Sequence, residues 1–177
     1  MNTLTFNNII FCYGSNMSSL ELMKYNNKLK NNKIKQYELL DFGILNNYKF
    51  AYKNICLTSK YPKIKTAKAT IIPDKKSCVY GTIVKMTDEM FELIIKKEGV
   101  HNNYYKKQQF KIKSLICDNV YDATVFIMNP SISSSNCKLN ISTLPSKNYE
   151  NKIVKASIFY NFPLNYIKKY LMVDRNK

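Results

Sequence analysis

Four glycines, one histidine, no tryptophan and a single arginine, Arg175, occur among 177 residues, and each scarcity removes a class of chemistry. With His101 alone, a multi-histidine metal site is excluded, and a Ser-His-Asp triad would have to be built on that one residue. Four glycines do not make a phosphate-binding glycine loop, and no such pattern is present. Arginine is the preferred residue for bidentate contacts to phosphates and bases, so its near absence argues against a reader of nucleic acid. No apolar run approaches the roughly 18–20 residues of a membrane span. Residues Met1 to Asn8 are polar and lack the basic start and apolar stretch of a signal peptide. The expectation is a cytoplasmic protein with no cofactor, no metal and no membrane or nucleic-acid partner.

What is present fits a single domain over residues 1–177, long enough to bury a continuous core. Hydrophobic residues make up 45% of the chain, an ordinary share for a globular protein. The net charge of +16 suits an anionic partner. Its lysines, however, are spread along the whole chain among Asn, Ile and Tyr, as an A/T-rich coding sequence would leave them. Cys12, Cys56, Cys78, Cys117 and Cys137 are odd in number and widely spaced, so they predict inert reduced thiols and no disulfide framework.

Ile9 to Tyr13 is a short apolar run closed by Gly14-Ser15-Asn16, which predicts a buried strand ending in a tight turn. Ser18 or Ser19 then caps a helix with Leu20, Leu22 and Met23 at its apolar positions. Tyr37 to Tyr52 reads as a strand bent at Gly43, followed by a polar Lys-rich segment to Thr66. Lys68–Ile72 and Cys78–Met86 read as two strands joined by a turn at Pro73 to Lys76. Thr87 or Asp88 caps a helix with Glu89 and Glu92 near its start, Lys96 and Lys97 near its end, and Gly99 as its stop. Tyr105 to Cys117 and Val120 to Met128 alternate as strands, Pro130 to Thr143 reads as an exposed loop, Ser146 opens a helix to about Tyr160, and Pro163 starts another. Strands dominate the middle and helices are inserted or terminal, an α+β pattern.

Two features point to chemistry. Met90, Ile94 and Glu98 follow one another at four-residue spacing, so a carboxylate ends an apolar helical stripe, from which Lys96 and Lys97 are expected to point away. Burial favours the neutral form of a carboxyl group, which equips it as a general acid and base near neutrality. The same pattern also fits a glutamate at a helix end, solvated or paired with a lysine. Tyr13-Gly14-Ser15-Asn16, passing from strand to helix, presents several backbone N–H groups in one direction and suits a carboxylate or oxyanion. It equally fits an ordinary strand-to-helix turn.

Taken together, Phe11-Cys12-Tyr13-Gly14-Ser15-Asn16-Met17 and Glu98-Gly99-Val100 resemble the signatures of the gamma-glutamylcyclotransferase family. The resemblance continues through Ala69-Thr70-Ile71, Val79-Tyr80-Gly81, Tyr105, Pro145-Ser146, Tyr149, Pro163-Leu164 and Tyr166, in the family's order. It implies a compact mixed-sheet, barrel-like fold with peripheral and C-terminal helices and a pocket at the barrel mouth. It also implies a cofactor-independent enzyme of lyase or acyltransferase type, a monomer or homodimer acting on a small gamma-glutamyl substrate. The substrate's α-amine attacks its own γ-carbonyl and releases 5-oxoproline and an amine or amino acid. Catalysis falls on Glu98, and substrate binding on Cys12, Tyr13, Gly14, Ser15, Asn16, Met17, Tyr105 and Tyr149. Asn103, bulky Tyr104 and Asn161-Phe162 depart from the family pattern, two of them where glycine is usual. Alternatives on the same fold are a non-catalytic protein for a small anionic ligand, or an enzyme acting on glutathione or gamma-glutamyl amines. His101 is expected at the pocket rim or on the surface.

Overall fold

The computed structural model describes residues 4–31, 33–53, 66–130 and 144–175. Cys56, Cys137, most of the Lys-rich segment before Thr66 and the expected loop from residue 131 onward lie outside the described residues.

Five strands, β1 (Asn8–Cys12), β2 (Tyr37–Lys53), β3 (Lys68–Met86), β4 (Tyr105–Ser114) and β5 (Val120–Met128), close into a barrel in the order β1-β3-β2-β4-β5. All neighbours run antiparallel except β1 and β5, whose parallel contact at Ile10 and Thr124 shuts the barrel. Alternation gives each strand an inward apolar face: Ile10, Ile71, Ile83, Ile112, Ala123 and Val125 are all almost wholly buried. Among the described residues four helices lie around this sheet: α1 (Ser19–Asn26), α2 (Asp88–Glu98), α3 (Lys147–Phe159) and the single turn α4 (Leu164–Tyr166), which continues as a wide turn over Ile167–Leu171. The mixed, barrel-like α+β architecture expected from the sequence is the one observed.

Helix limits follow side-chain chemistry. The Thr87 hydroxyl accepts the Met90 amide, and Ser146 does the same for Tyr149, so each satisfies an orphan N–H of a first turn. Gly99 ends α2 in the left-handed region at φ 65°, where a residue with a Cβ is strained. Against expectation, Leu20 and Met23 are exposed, and α1 turns only Leu22 and Asn26 inward. The two strands expected on either side of Pro73 to Lys76 are one strand, β3. Its register with β2 jumps from Asn46–Cys78 to Tyr48–Pro73, so Asp74 to Ser77 form a bulge opposite Asn47, whose φ is 64°. The Asp74 carboxylate accepts the Lys76 amide, which gives that bulge its turn-like composition. In β2 the irregularities flank Gly43, which pairs with Gly81 on one side and Ser114 on the other.

Gly81 is required by close approach. A Cβ there would lie 2.4 Å from the Cys12 carbonyl oxygen and 2.7 Å from the Phe11 ring. The Gly81→Ala variant is therefore expected to lose about 1–3 kcal/mol, the usual cost of overpacking, read as a lowered midpoint in urea denaturation. An unchanged midpoint would show that β1 yields to the added methyl at no cost.

Candidate active site

At the end of β1 the chain leaves the barrel through Tyr13 and Gly14 into a single turn, Ser15–Met17. The strand is held against β3 up to Cys12, so the turn is fixed at the barrel mouth. Among the described residues, no acceptor takes the backbone N–H of Gly14, Ser15 or Asn16. Three amide donors left without partners in succession favour an anion. Beside them lies a cavity of about 190 Å³ lined by residues 11–16, Lys68, Ala69, Lys97, Glu98, Tyr104, Tyr105, Phe126 and Tyr149.

Met90 and Ile94 are fully buried, as the helical stripe requires, and one turn later the stripe delivers Glu98 to the cavity wall. The Glu98 side chain keeps only 16% of its surface exposed. Its Oε1 accepts the Asn16 Nδ2 at 2.9 Å and stands 3.2 Å from the Lys97 ammonium. Lys97 also donates to the Asn16 side-chain oxygen, so carboxylate, amide and ammonium form a closed triangle. Both contacts to Glu98 fall on Oε1; among the described residues no hydrogen bond reaches Oε2. Lys97, expected to point away from the stripe, instead reaches back over it. Burial pulls its ammonium toward deprotonation, but the Glu98 carboxylate and Tyr25 outweigh this and hold the group charged.

The tyrosines form a second layer. Tyr105 donates to the Ala69 carbonyl at 2.7 Å, and Tyr149 accepts the Ala69 amide at 3.3 Å, so both backbone groups of Ala69 are held at the cavity wall. Tyr13 donates to the Phe126 carbonyl across the barrel. Burial raises the phenol pKa of all three, with Glu98 adding to the effect, so they remain protonated. A Cβ on Gly14 would sit 3.3 Å from that of Ala69, a tight contact, and 3.7 Å from the Tyr149 hydroxyl, an ordinary one.

Of the residues singled out in the sequence, Cys12, Tyr13, Gly14, Ser15, Asn16, Glu98, Tyr105 and Tyr149 line this one cavity. Met17 packs into the core, and its carbonyl accepts the Tyr160 hydroxyl. His101 is exposed, in a groove with Glu89 and Glu92 away from Glu98. The lysine pairing that the sequence allowed for Glu98 is present, through Lys97, but the pair lies in the cavity wall; neither Lys97 nor Lys68 was singled out as a site residue, and nothing in the sequence flagged Lys68. Among the described residues no cluster of His, Cys, Asp and Glu can hold a metal ion, and no helix is long and apolar enough to cross a membrane.

The sequence model of the AIG2-like family matches residues 78–170, more than half of the chain. Among solved structures, a gamma-glutamyl cyclotransferase is 18% identical with a TM-score of 0.73, over 94% of this chain and 88% of that one. A yeast gamma-glutamyl cyclotransferase specific to glutathione is 11% identical at a TM-score of 0.54, over 97% of this chain and 100% of that one. An AIG2-like protein from Mus musculus is 13% identical at a TM-score of 0.52, over 79% of this chain and 88% of that one. At these identities the likeness is one of fold. No curated protein matches the chain.

Cys12 lies in the same wall, but burial pushes its thiol up to about 12. At neutral pH it should react with iodoacetamide at least about 100-fold more slowly than a free thiol of pKa near 8.5, because so little of it is thiolate. Peptide mapping by mass spectrometry should find Cys12 unlabelled in the native protein and labelled in denaturant. Rapid native labelling would make this thiol a reactive group.

Proposed function

The chain belongs to the AIG2-like family, and we propose that it is a gamma-glutamyl cyclotransferase. In this reading the α-carboxylate of a gamma-glutamyl compound rests on the free amides of Gly14, Ser15 and Asn16, and Glu98 serves the α-nitrogen. That nitrogen attacks the γ-carbonyl carbon, a C–N bond forms, and the bond to the departing nitrogen breaks. Two of the three protons on the α-ammonium are given up and both end on the departing nitrogen, which leaves as an ammonium. The other product, 5-oxoproline, keeps the third. A single carboxylate that accepts from one nitrogen and delivers to the other suffices, with no net demand for base.

The observation that carries this reading is that Glu98 and three unpartnered amides line one cavity, with Glu98 Oε1 anchored by Asn16 and Lys97 and Oε2 unengaged among the described residues. Anchoring one oxygen fixes the rotamer, so the other meets the substrate without reorganisation. The ring closure is intramolecular, and holding the γ-glutamyl chain folded between cradle and carboxylate supplies much of the acceleration.

The Glu98→Gln variant keeps the shape and the Asn16 contact but removes the base. Its rate of 5-oxoproline release from a panel of gamma-glutamyl compounds, followed by mass spectrometry, is expected to fall about 10²- to 10⁴-fold. Its thermal unfolding is expected to stay close to that of the parent chain. Normal turnover by this variant would overturn the mechanism.

A further inference from the structure

Lys68, the first residue of β3, lines the cavity, with its ammonium 4.5 Å above the centre of the Tyr149 ring. Tyr149 is tied in turn to the Ala69 amide, so the ammonium is steadied beside the amide cradle. Among the described residues no carboxylate forms an ion pair with it. The chain has 12 acidic residues, all of them among the described residues, and none forms an ion pair with Lys68. The neighbouring lysines differ in this: Lys97 is paired with Glu98, and Lys152 stands 3.1 Å from Glu21. Burial of the Lys68 ammonium, with the charges of Lys97 and Lys152, lowers its pKa, and only Glu98 opposes them. A half-buried cation that faces like charges and has a carboxylate near it but none in direct contact is an unfavourable arrangement that a bound anion relieves.

The cavity thus offers two separate places for negative charge, the amides of residues 14–16 and the Lys68 ammonium. A substrate with one carboxylate fills only the first. We infer that Lys68 is a specificity-determining residue that holds a second carboxylate, carried by the leaving amine, so that the preferred substrates are gamma-glutamyl amino acids over gamma-glutamyl amines. This rests on the cyclotransferase reading, because it is that reaction that gives the substrate a leaving amine.

The test compares gamma-glutamylalanine with gamma-glutamylethylamine, which differ only in that carboxylate, on the full chain. The parent protein is expected to favour the alanine compound in kcat/KM by about 10- to 100-fold, the range of a hydrogen bond to a charged group, with most of the difference in KM. Lys68→Met is expected to bring the ratio to about one, and Lys68→Arg, which keeps the charge, to retain the larger part of it. A parent protein without the preference, or a ratio that Lys68→Met leaves unchanged, overturns the proposal while 5-oxoproline release upholds the activity. Calorimetric binding of both compounds to Glu98→Gln separates the two ideas further. If nothing turns over but binding shows the Lys68-dependent preference, the carboxylate site stands and the cyclotransferase reading falls. If neither compound binds or turns over, both fall.

Discussion

The site depends on a carboxylate placed where a helix disfavours it. Glu98 is the last residue of α2, at the end where the backbone carbonyls concentrate negative partial charge, and it is largely withdrawn from water. Such a group persists only if nearby donors offset the cost. Lys97 supplies the opposite charge and Asn16 a hydrogen bond, and because they also bond each other, the three side chains lock as a unit. Asn16 belongs to the turn after β1, whereas Lys97 and Glu98 belong to α2. The interaction that stabilises the carboxylate therefore also docks the helix end on the amide cradle, and the geometry of the pocket follows from the electrostatics of one group.

Much of this was legible in the sequence because it follows from local rules. The Thr87 cap, the Gly99 stop and the Met90–Ile94–Glu98 stripe are consequences of helical period and backbone sterics, and each lies where the pattern puts it. What escaped were the properties of long side chains and of distant partners. Period alone sends Lys97 off the stripe, but four methylenes let its ammonium return over Glu98. The same freedom hides Lys68, whose significance lies in the acidic residues that do not reach it. The exposure of Leu20 and Met23 was likewise not written in α1, since which face of a short helix turns inward depends on what it docks against. Pro73 to Lys76 was legible as irregular backbone. That it is a bulge and not a turn depends on β2 continuing alongside, a non-local fact.

The scarcity of glycine has a structural counterpart. Among the described residues, left-handed backbone occurs at Gly99 and at three asparagines, Asn47, Asn103 and Asn161, the latter with φ between 56° and 64°. Asparagine tolerates this region better than other residues with a Cβ, because its short side chain can bond to the local backbone. Two of these asparagines, Asn103 and Asn161, stand where the resemblance to gamma-glutamylcyclotransferases leads one to expect glycine. The substitutions preserve the backbone requirement and so leave the turn before Tyr105 and the turn into Pro163 intact. Tyr104 is a different matter, for its ring packs close to Gly99 and lines the cavity, so it shapes the space available to a ligand.

The net charge of +16 can then be divided by asking which lysines have partners. A lysine on the open surface is satisfied by water and costs little whatever its origin, so its presence says nothing about function. Around the cavity that argument fails, because the Lys68 and Lys97 ammonium groups both line it, Lys152 acts on Lys68 from nearby, and water is partly excluded. Lys152 shares Glu21 with Lys24, and Lys97 pairs with Glu98, each through a direct contact. Lys68 has the aromatic face of Tyr149, which attracts a cation more weakly than a carboxylate does. Among the described residues, Lys68 is therefore the cavity-lining ammonium without a direct carboxylate contact, in a cleft whose low-dielectric walls strengthen its field toward an approaching anion. A lysine held in a cavity, beside three amides with no acceptor among the described residues, carries a cost of burial that a lysine on the open surface does not.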